Sequence, residues 1–188
     1  LLVPMPRERV TAELVLRDNT GKESRLKHTL DPNDVLIHDR SKSEPLPHRY
    51  LHRGGDSKEV IDAVILAEGY TAEEMALFIE DAQIATDEIL SYEPFNSHKE
   101  KFNFIAVESV SKDTNVSVPQ AKAWRETAVG SNFMTFYMER YLTSGNVYAM
   151  YDLATNIPCE HLIILANTDT YGGGGIYNSY TLTTAHHP

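Results

Sequence analysis

Residues 62–75 read DAVILAEGYTAEEM and decide the fold class. The run at 60–67 is nearly continuous in apolar residues, which is typical of a strand buried on both faces of a sheet. Residues 68–70 predict a turn. Thr71 and Glu74 then form a Thr-x-x-Glu capping box, the pattern in which the glutamate accepts a hydrogen bond from the first N–H of a helix.

The helix that follows is amphipathic. Its apolar positions recur at helical spacing and form one stripe: Met75, Phe78, Ile79, Ala82, Ala85 and Ile89. Residues 71–90 also hold six acidic and no basic side chains, which lie largely off this stripe. We therefore interpret the acidic run as a solvated helix face.

Further elements extend the same pattern towards the C-terminus. Residues 102–110 and 161–167 predict two more strands, and 146–155 predicts a helix that stops before a proline. The Thr/Tyr-rich run at 176–185 predicts a fourth strand. Residues 111–145 are less clear, with an extended or helical stretch at 135–142. Strands separated by helices predict an α/β (α+β) layer with a mixed or parallel sheet.

The first fifty residues have a different pattern. Apolar residues alternate along 10–17, as in a half-buried strand, and 35–38 predicts another short strand. We interpret 1–50 as the end of a β-sandwich-like domain whose earlier strands lie upstream of Leu1. Residues 40–57 contain two prolines and two glycines without periodicity, so 51–57 is predicted to be a linker to a second domain at 58–188.

Composition excludes several function classes. The 188 residues hold 17 basic and 27 acidic side chains, a net charge of −10, which argues against nucleic acid as a partner. No run reaches the ~20 apolar residues of a membrane-spanning helix. The one cysteine, Cys159, permits no internal disulfide and no cysteine-based zinc site. Because the chain starts at Leu1 without a signal-peptide pattern, we expect a mature, trimmed or excised piece.

Two loops after strands are candidates for ligand binding. A phosphate at the helix start near 67–71 is disfavoured, because Glu68 would repel an anion. The loop at 167–176 could cradle a flavin or nucleotide phosphate, but it leads into a strand rather than a helix. Its four glycines, 172–175, equally fit a strand edge that accepts an extended peptide, or an ordinary flexible loop.

The usual hydrolase motifs are absent from the printed sequence. It contains neither Gly-x-Ser-x-Gly nor His-Glu-x-x-His among its eight histidines. His186 and His187 are adjacent and would point to opposite faces of a strand, so we interpret them as polar residues rather than metal ligands.

Four stretches together resemble the secreted bacterial IgA-peptidase-type zinc metallopeptidases, a zincin-like family. They are DAVILAEGYTAEEM (62–75), EPF (93–95), KFNFIAVESVS (101–111) and LIILANTDTYGGGGIYNSYTLTTA (162–185). The resemblance implies that 58–188 is the sheet-bearing upper half of a zincin-like catalytic domain. It also implies a secreted, periplasmic or cell-surface location and a protein or peptide substrate.

In that family a helix with His-Glu-x-x-His follows the stretch similar to 176–185 and supplies two zinc ligands and the general base. The resemblance therefore implies Zn²⁺ in the complete enzyme, with its ligands outside this chain, and no catalytic or metal residue within it. It implies a substrate-binding edge strand at Gly173, Gly174, Gly175, Ile176, Tyr177 and Asn178. We expect a fragment of a zinc-dependent endopeptidase that is inactive alone. The alternatives are a non-catalytic peptide- or glycan-binding module and a flavodoxin-like cofactor binder.

Overall fold

The fold is that of a computed structural model of the 188-residue chain, which describes residues 6–37, 39–40, 42–176 and 179–186. The chain divides into two compact units, residues 1–42 and 43–188. Within the described residues, no helix has the length and apolar character needed to cross a membrane.

The first unit is a two-stranded antiparallel hairpin of β1 (Val10–Arg17) and β2 (Glu23–Leu30). Its turn is held by Asp18, whose carboxylate accepts the N–H groups of Thr20 and Lys22 at 2.8 and 3.0 Å. One face pairs Leu14 with Leu26, and both side chains are exposed. The strand predicted from the alternation at 10–17 is confirmed. No other part of the described unit covers its apolar face.

The strand predicted at 35–38 is wrong over 35–37, where the chain makes a turn. The carboxylate of Asp34 accepts the N–H of Leu36 at 2.9 Å, and this local bond competes with strand pairing. Val35 and Leu36 are both exposed. His38 lies outside the described residues.

The second unit is built on a mixed sheet, which agrees with the predicted mixed or parallel sheet but has six strands where the sequence predicts four. In chain order the strands are β3 (His48–Arg53), β4 (Ile61–Glu68), β5 (Phe102–Val107), β6 (His161–Ala166), β7 (Gly173–Ile176) and β8 (Tyr180–Thr184). Their spatial order is β3-β5-β4-β6-β8-β7. The four inner strands run parallel, while β3 and β7 are antiparallel and lie at the two edges.

Two details of the sheet differ from the sequence prediction. Leu51–Arg53 of the predicted linker is the end of β3, which pairs with β5. The single strand predicted at 176–185 is instead the end of β7, a turn, and β8, because Ser179 N–H donates to the Ile176 carbonyl at 2.9 Å and reverses the chain.

One face of the sheet packs against helix α1 (Met75–Ser91). The predicted capping box forms, since Glu74 Oε2 accepts the Thr71 N–H at 2.8 Å. The helix buries Phe78 and Ala82, as predicted, and also Thr86 and Leu90. Phe78, Ala82 and Leu90 belong to a core cluster with sheet residues of odd number along β4, such as Ala63 and Ile65.

The opposite face packs against irregular chain between β5 and β6, including the short helix α2 (Val147–Leu153). Residues 135–142, expected to be extended or helical, form a 3₁₀ turn followed by irregular chain. This second core cluster combines sheet residues with side chains from the irregular chain, among them Val64, Leu66, Ile105, Val129, Phe133, Leu142 and Met150. Both faces of β4 are therefore buried, as its continuous apolar run predicts.

Candidate functional site

The predicted substrate edge lies at the outer end of the sheet. β7 is the last strand in the spatial order. On its inner side it pairs with β8 along its whole length, and no described strand pairs with its outer side along that length. Gly173 and Gly174 are half-buried, and Gly175 and Ile176 are exposed. Tyr177 and Asn178 lie outside the described residues.

The outer side of β7 is closed at its start. The N–H of Gly173 donates to the Arg140 carbonyl at 3.0 Å, and its carbonyl accepts the Leu142 N–H at 3.3 Å. These outward bonds set the alternation of the strand, so the N–H and carbonyl of Gly175 also point outward. None of the described residues hydrogen-bonds with those two groups.

Internal packing explains part of the glycine run. A Cβ atom on Gly174 would lie 2.7 Å from the Thr143 methyl group and 2.8 Å from the Leu142 carbonyl oxygen. One on Gly175 would lie 2.6 Å from the Tyr180 carbonyl oxygen. The glycines therefore permit close approach of neighbouring chain, and they do not by themselves indicate a ligand.

An apolar cavity of about 830 Å³ adjoins the open end of β7. It lies on the sheet face that α1 covers in part, between Ile89 of the helix and the strands β6 and β8. Its lining includes Phe95, Phe102, Phe104, Ile163, Thr181 and Thr183, with Gly175 and Ile176 also contributing.

A polar network joins the carboxyl ends of β4, β6 and β8 to α1. The Nε2 atom of His186 lies 3.0 Å from Asn167 Oδ1 and 3.5 Å from Asp81 Oδ2. The Tyr70 hydroxyl donates to the same Asp81 oxygen at 2.8 Å. The sequence analysis does not predict this role of His186. It places Asp81 with the other acidic residues on a solvated helix face. The available signal was that Asn167 and His186 follow neighbouring parallel strands, whose carboxyl ends meet at one edge.

Two pKa values in this region are displaced. Burial, together with the Asp81 carboxylate, raises the pKa of Tyr70 far above its usual value, so the phenol stays a donor. Partial burial would raise the pKa of Glu74, but hydrogen bonds from the Thr71 N–H and the Thr114 hydroxyl outweigh it and hold the pKa below its usual range.

The loop at 67–71, where the sequence disfavours a phosphate, has its main-chain donors already occupied. The Gly69 N–H donates to the Ser111 hydroxyl at 2.9 Å, and the Thr71 N–H donates to Glu74. Glu68 is fully buried, and its two oxygens accept bonds from Thr127, Val129 and Ser131. The loop at 67–71 therefore lacks the free N–H cradle that a phosphate needs.

The described part of the chain contains no group of three or more His, Cys, Asp or Glu side chains placed to hold a metal ion. Its residues thus do not fit a zinc site, and no catalytic step through a metal is assigned to them. What the arrangement offers chemically is main-chain pairing at Gly175 beside an apolar cavity.

A search of curated proteins finds none that matches the chain. Among family models, the one described as IgA Peptidase M64 matches residues 50–187, which include the whole sheet from β3 onward apart from the first two residues of that strand. The chain therefore belongs to the IgA peptidase M64 family.

Proposed function

We propose that this chain holds an extended polypeptide for a zinc-dependent endopeptidase and is the sheet-bearing part of that enzyme. The observation that carries the proposal is the M64 match over residues 50–187 together with the unpaired main-chain groups of Gly175 at the sheet edge. Exposed strand edges bind peptides by adding a strand, with main-chain hydrogen bonds giving affinity and side-chain pockets giving specificity.

The zinc ligands and general base of this enzyme lie outside residues 1–188. The lack of a metal-binding cluster among the described residues supports this, as does the uncovered apolar cavity beside α1. A volume of about 830 Å³ has room for about two turns of a helix ~10 Å in diameter. We propose that a helix carrying the metal ligands packs there against Ile163 and Ile89.

The hairpin of residues 10–30 is proposed to belong to a β-rich neighbouring domain. Its face with Leu14 and Leu26 is exposed, and a two-stranded sheet needs further strands or a packed layer to be stable alone. The enzyme is proposed to be bacterial and to act outside the cytoplasm on protein or peptide substrates, as the resemblance implies.

The test uses the full 188-residue chain, labelled with ¹⁵N, and the blocked pentapeptide acetyl-Thr-Val-Thr-Val-Thr-amide. We expect peptide-dependent shifts of the Gly175 and Ile176 amide signals and no hydrolysis with or without equimolar Zn²⁺. A Tyr148→Ala variant serves as a control, because Tyr148 is exposed on α2 and shares no hydrogen bond with β7 among the described residues. Zinc-dependent hydrolysis by the chain alone would contradict the placement of the metal ligands, and absence of shifts on β7 would contradict the edge.

The alternative function is a non-catalytic peptide- or glycan-binding module that uses the same edge. It is favoured by the lack of a metal-binding cluster among the described residues. An assay of a longer product, expressed with the codons that follow the one for Pro188, distinguishes the two functions. Zinc-dependent cleavage of the pentapeptide by that product supports the peptidase, and binding of peptide or glycan without cleavage supports the module.

A further inference from the structure

The irregular segment 140–143 occupies part of the edge that a substrate strand would use. Its Arg140 carbonyl and Leu142 N–H take the two outward groups of Gly173, at 3.0 and 3.3 Å. Tyr141 therefore forms a parallel bridge with Gly173. An incoming peptide cannot use the same donor and acceptor, because each is already bonded.

The segment is anchored on its far side as firmly as a regular strand. Thr143 exchanges two main-chain hydrogen bonds with Asn132, at 3.0 and 3.2 Å. Leu142 is fully buried in the core between the sheet and the irregular chain. Displacing the segment would expose this side chain and break both bonds, so it is not a removable strap.

A tyrosine from the substrate sheet itself fixes the next residue. The hydroxyl of Tyr180, on β8, donates to the Ser144 carbonyl at 2.7 Å and accepts the Ser144 N–H at 3.1 Å. All of these groups are buried. The position of the segment relative to β7 is thus set by β8, the strand that carries β7.

We propose that residues 140–143 are a fixed stop at one end of the substrate edge, so that an extended polypeptide pairs with β7 only at Gly175. The inference rests on the proposed function, since it concerns how that same edge reads its substrate. Pairing with two successive outward residues of β7 would need Gly173 as well as Gly175, and Gly173 is taken.

The stop fixes the register of the substrate. Whether the peptide runs parallel or antiparallel to β7, Gly175 can accept a hydrogen bond from one peptide N–H and no other. The peptide must leave the plane of the sheet where it meets Thr143, whose methyl group lies close to the Gly174 backbone. Affinity beyond this one pair then comes from the side chains of the substrate.

The first arm of the test needs no peptide. Amide hydrogen exchange of the free 188-residue chain, followed by NMR, is expected to be slow at Gly173 and fast at Gly175. Fast exchange at Gly173 would overturn the stop whatever the fate of the proposed function. A Tyr180→Phe variant, which keeps the ring and removes both bonds to Ser144, is expected to speed exchange at Gly173 while leaving Gly175 unchanged.

The second arm uses acetyl-Thr-Val-Thr-Val-Thr-amide and five analogues, each with one backbone nitrogen methylated. We expect one analogue to bind about tenfold more weakly and the others to bind within about twofold of the parent. Two weak analogues separated by one residue would show that Gly173 also pairs, which overturns the stop but leaves the edge intact. No binding by the parent peptide would overturn the proposed edge and this inference with it.

Discussion

The two faces of the six-stranded sheet differ in how they are covered. Neighbouring residues of one strand show the contrast, since Ile164 is fully buried beneath irregular chain whereas Ile163 is half-buried and lines a cavity of about 830 Å³. The face with Ile164, here called the sealed face, is covered by irregular chain that the buried Glu68 carboxylate holds through hydrogen bonds. The face with Ile163, here called the open face, has α1 across only part of its width. The candidate site adjoins the open face, so binding capacity lies where the fold leaves apolar surface uncovered.

Removing the Glu68 carboxylate should have the largest effect, because it anchors the cover of the sealed face. Glu68→Ala would leave the donors of Thr127, Val129 and Ser131 without a buried acceptor, and we expect the free energy of unfolding to fall by about 3–5 kcal/mol. Urea denaturation followed by circular dichroism measures this. Glu73→Ala, at an exposed helix position, is the matched control and should change it by less than about 0.5 kcal/mol.

Truncating the adjacent isoleucines compares the two faces directly. Ile164→Ala opens a void under the sealed cover and should cost about 2–5 kcal/mol of unfolding free energy. Ile163→Ala removes atoms that already border a cavity, and we expect a cost of about 1 kcal/mol or less. Equal losses for the two variants, measured by the same denaturation, would show that the open face is covered in solution.

The regular elements could be predicted because each has its own local signal. The alternation at 10–17, the apolar runs of β4 and β6, and the capping box before α1 depend on nearby residues alone. The strand β3 could not be predicted, since its six residues read HRYLHR and are ordered by pairing with β5, about fifty positions away. Sequence patterns report local chemistry, and this edge strand depends on a distant partner.

The position of the edge strand could be predicted from the sequence, while its use by a substrate stays a prediction. The low charge and the glycines of 172–175 indicate an edge, and β7 lies at one. The closure of Gly173 by Arg140 and Leu142 could not be foreseen, because residues 111–145 are held by long-range contacts without any periodicity. The role of Glu68 could not be foreseen either. The sequence predicts a turn there, but its carboxylate oxygens accept hydrogen bonds from a loop about sixty residues further on.

Acid should lower the free energy of unfolding through the start of α1, the main cover of the open face. The loss should be smaller than those of the core variants above. The pKa of Glu74 is below its usual 4.5 in the folded chain, so its stabilising contribution is complete above that pH and is lost as the pH falls through the lowered value. We expect less than about 1 kcal/mol, because the side chain is only partly buried and solvent weakens its interactions. Denaturation between pH 2 and 6 should show a larger loss below pH 4.5 in the unchanged chain than in Glu74→Gln, since the other carboxylates titrate in both.

The smallest effect on stability is expected at Cys159, which packs against the sealed face. Its alkylation rate measures how accessible that face is to a reagent. Burial, with the nearby Glu160 carboxylate, raises the pKa of its thiol to about 11, so only about 0.1% is thiolate at pH 8. Alkylation by iodoacetamide should therefore be about a hundredfold slower in the folded chain than in urea. Since Cys159 lies under the sealed face, Ile164→Ala should speed this reaction and Ile163→Ala should not. Acceleration by Ile163→Ala instead would show that the two faces open together, and the difference in cover would then carry no consequence for the proposed substrate edge.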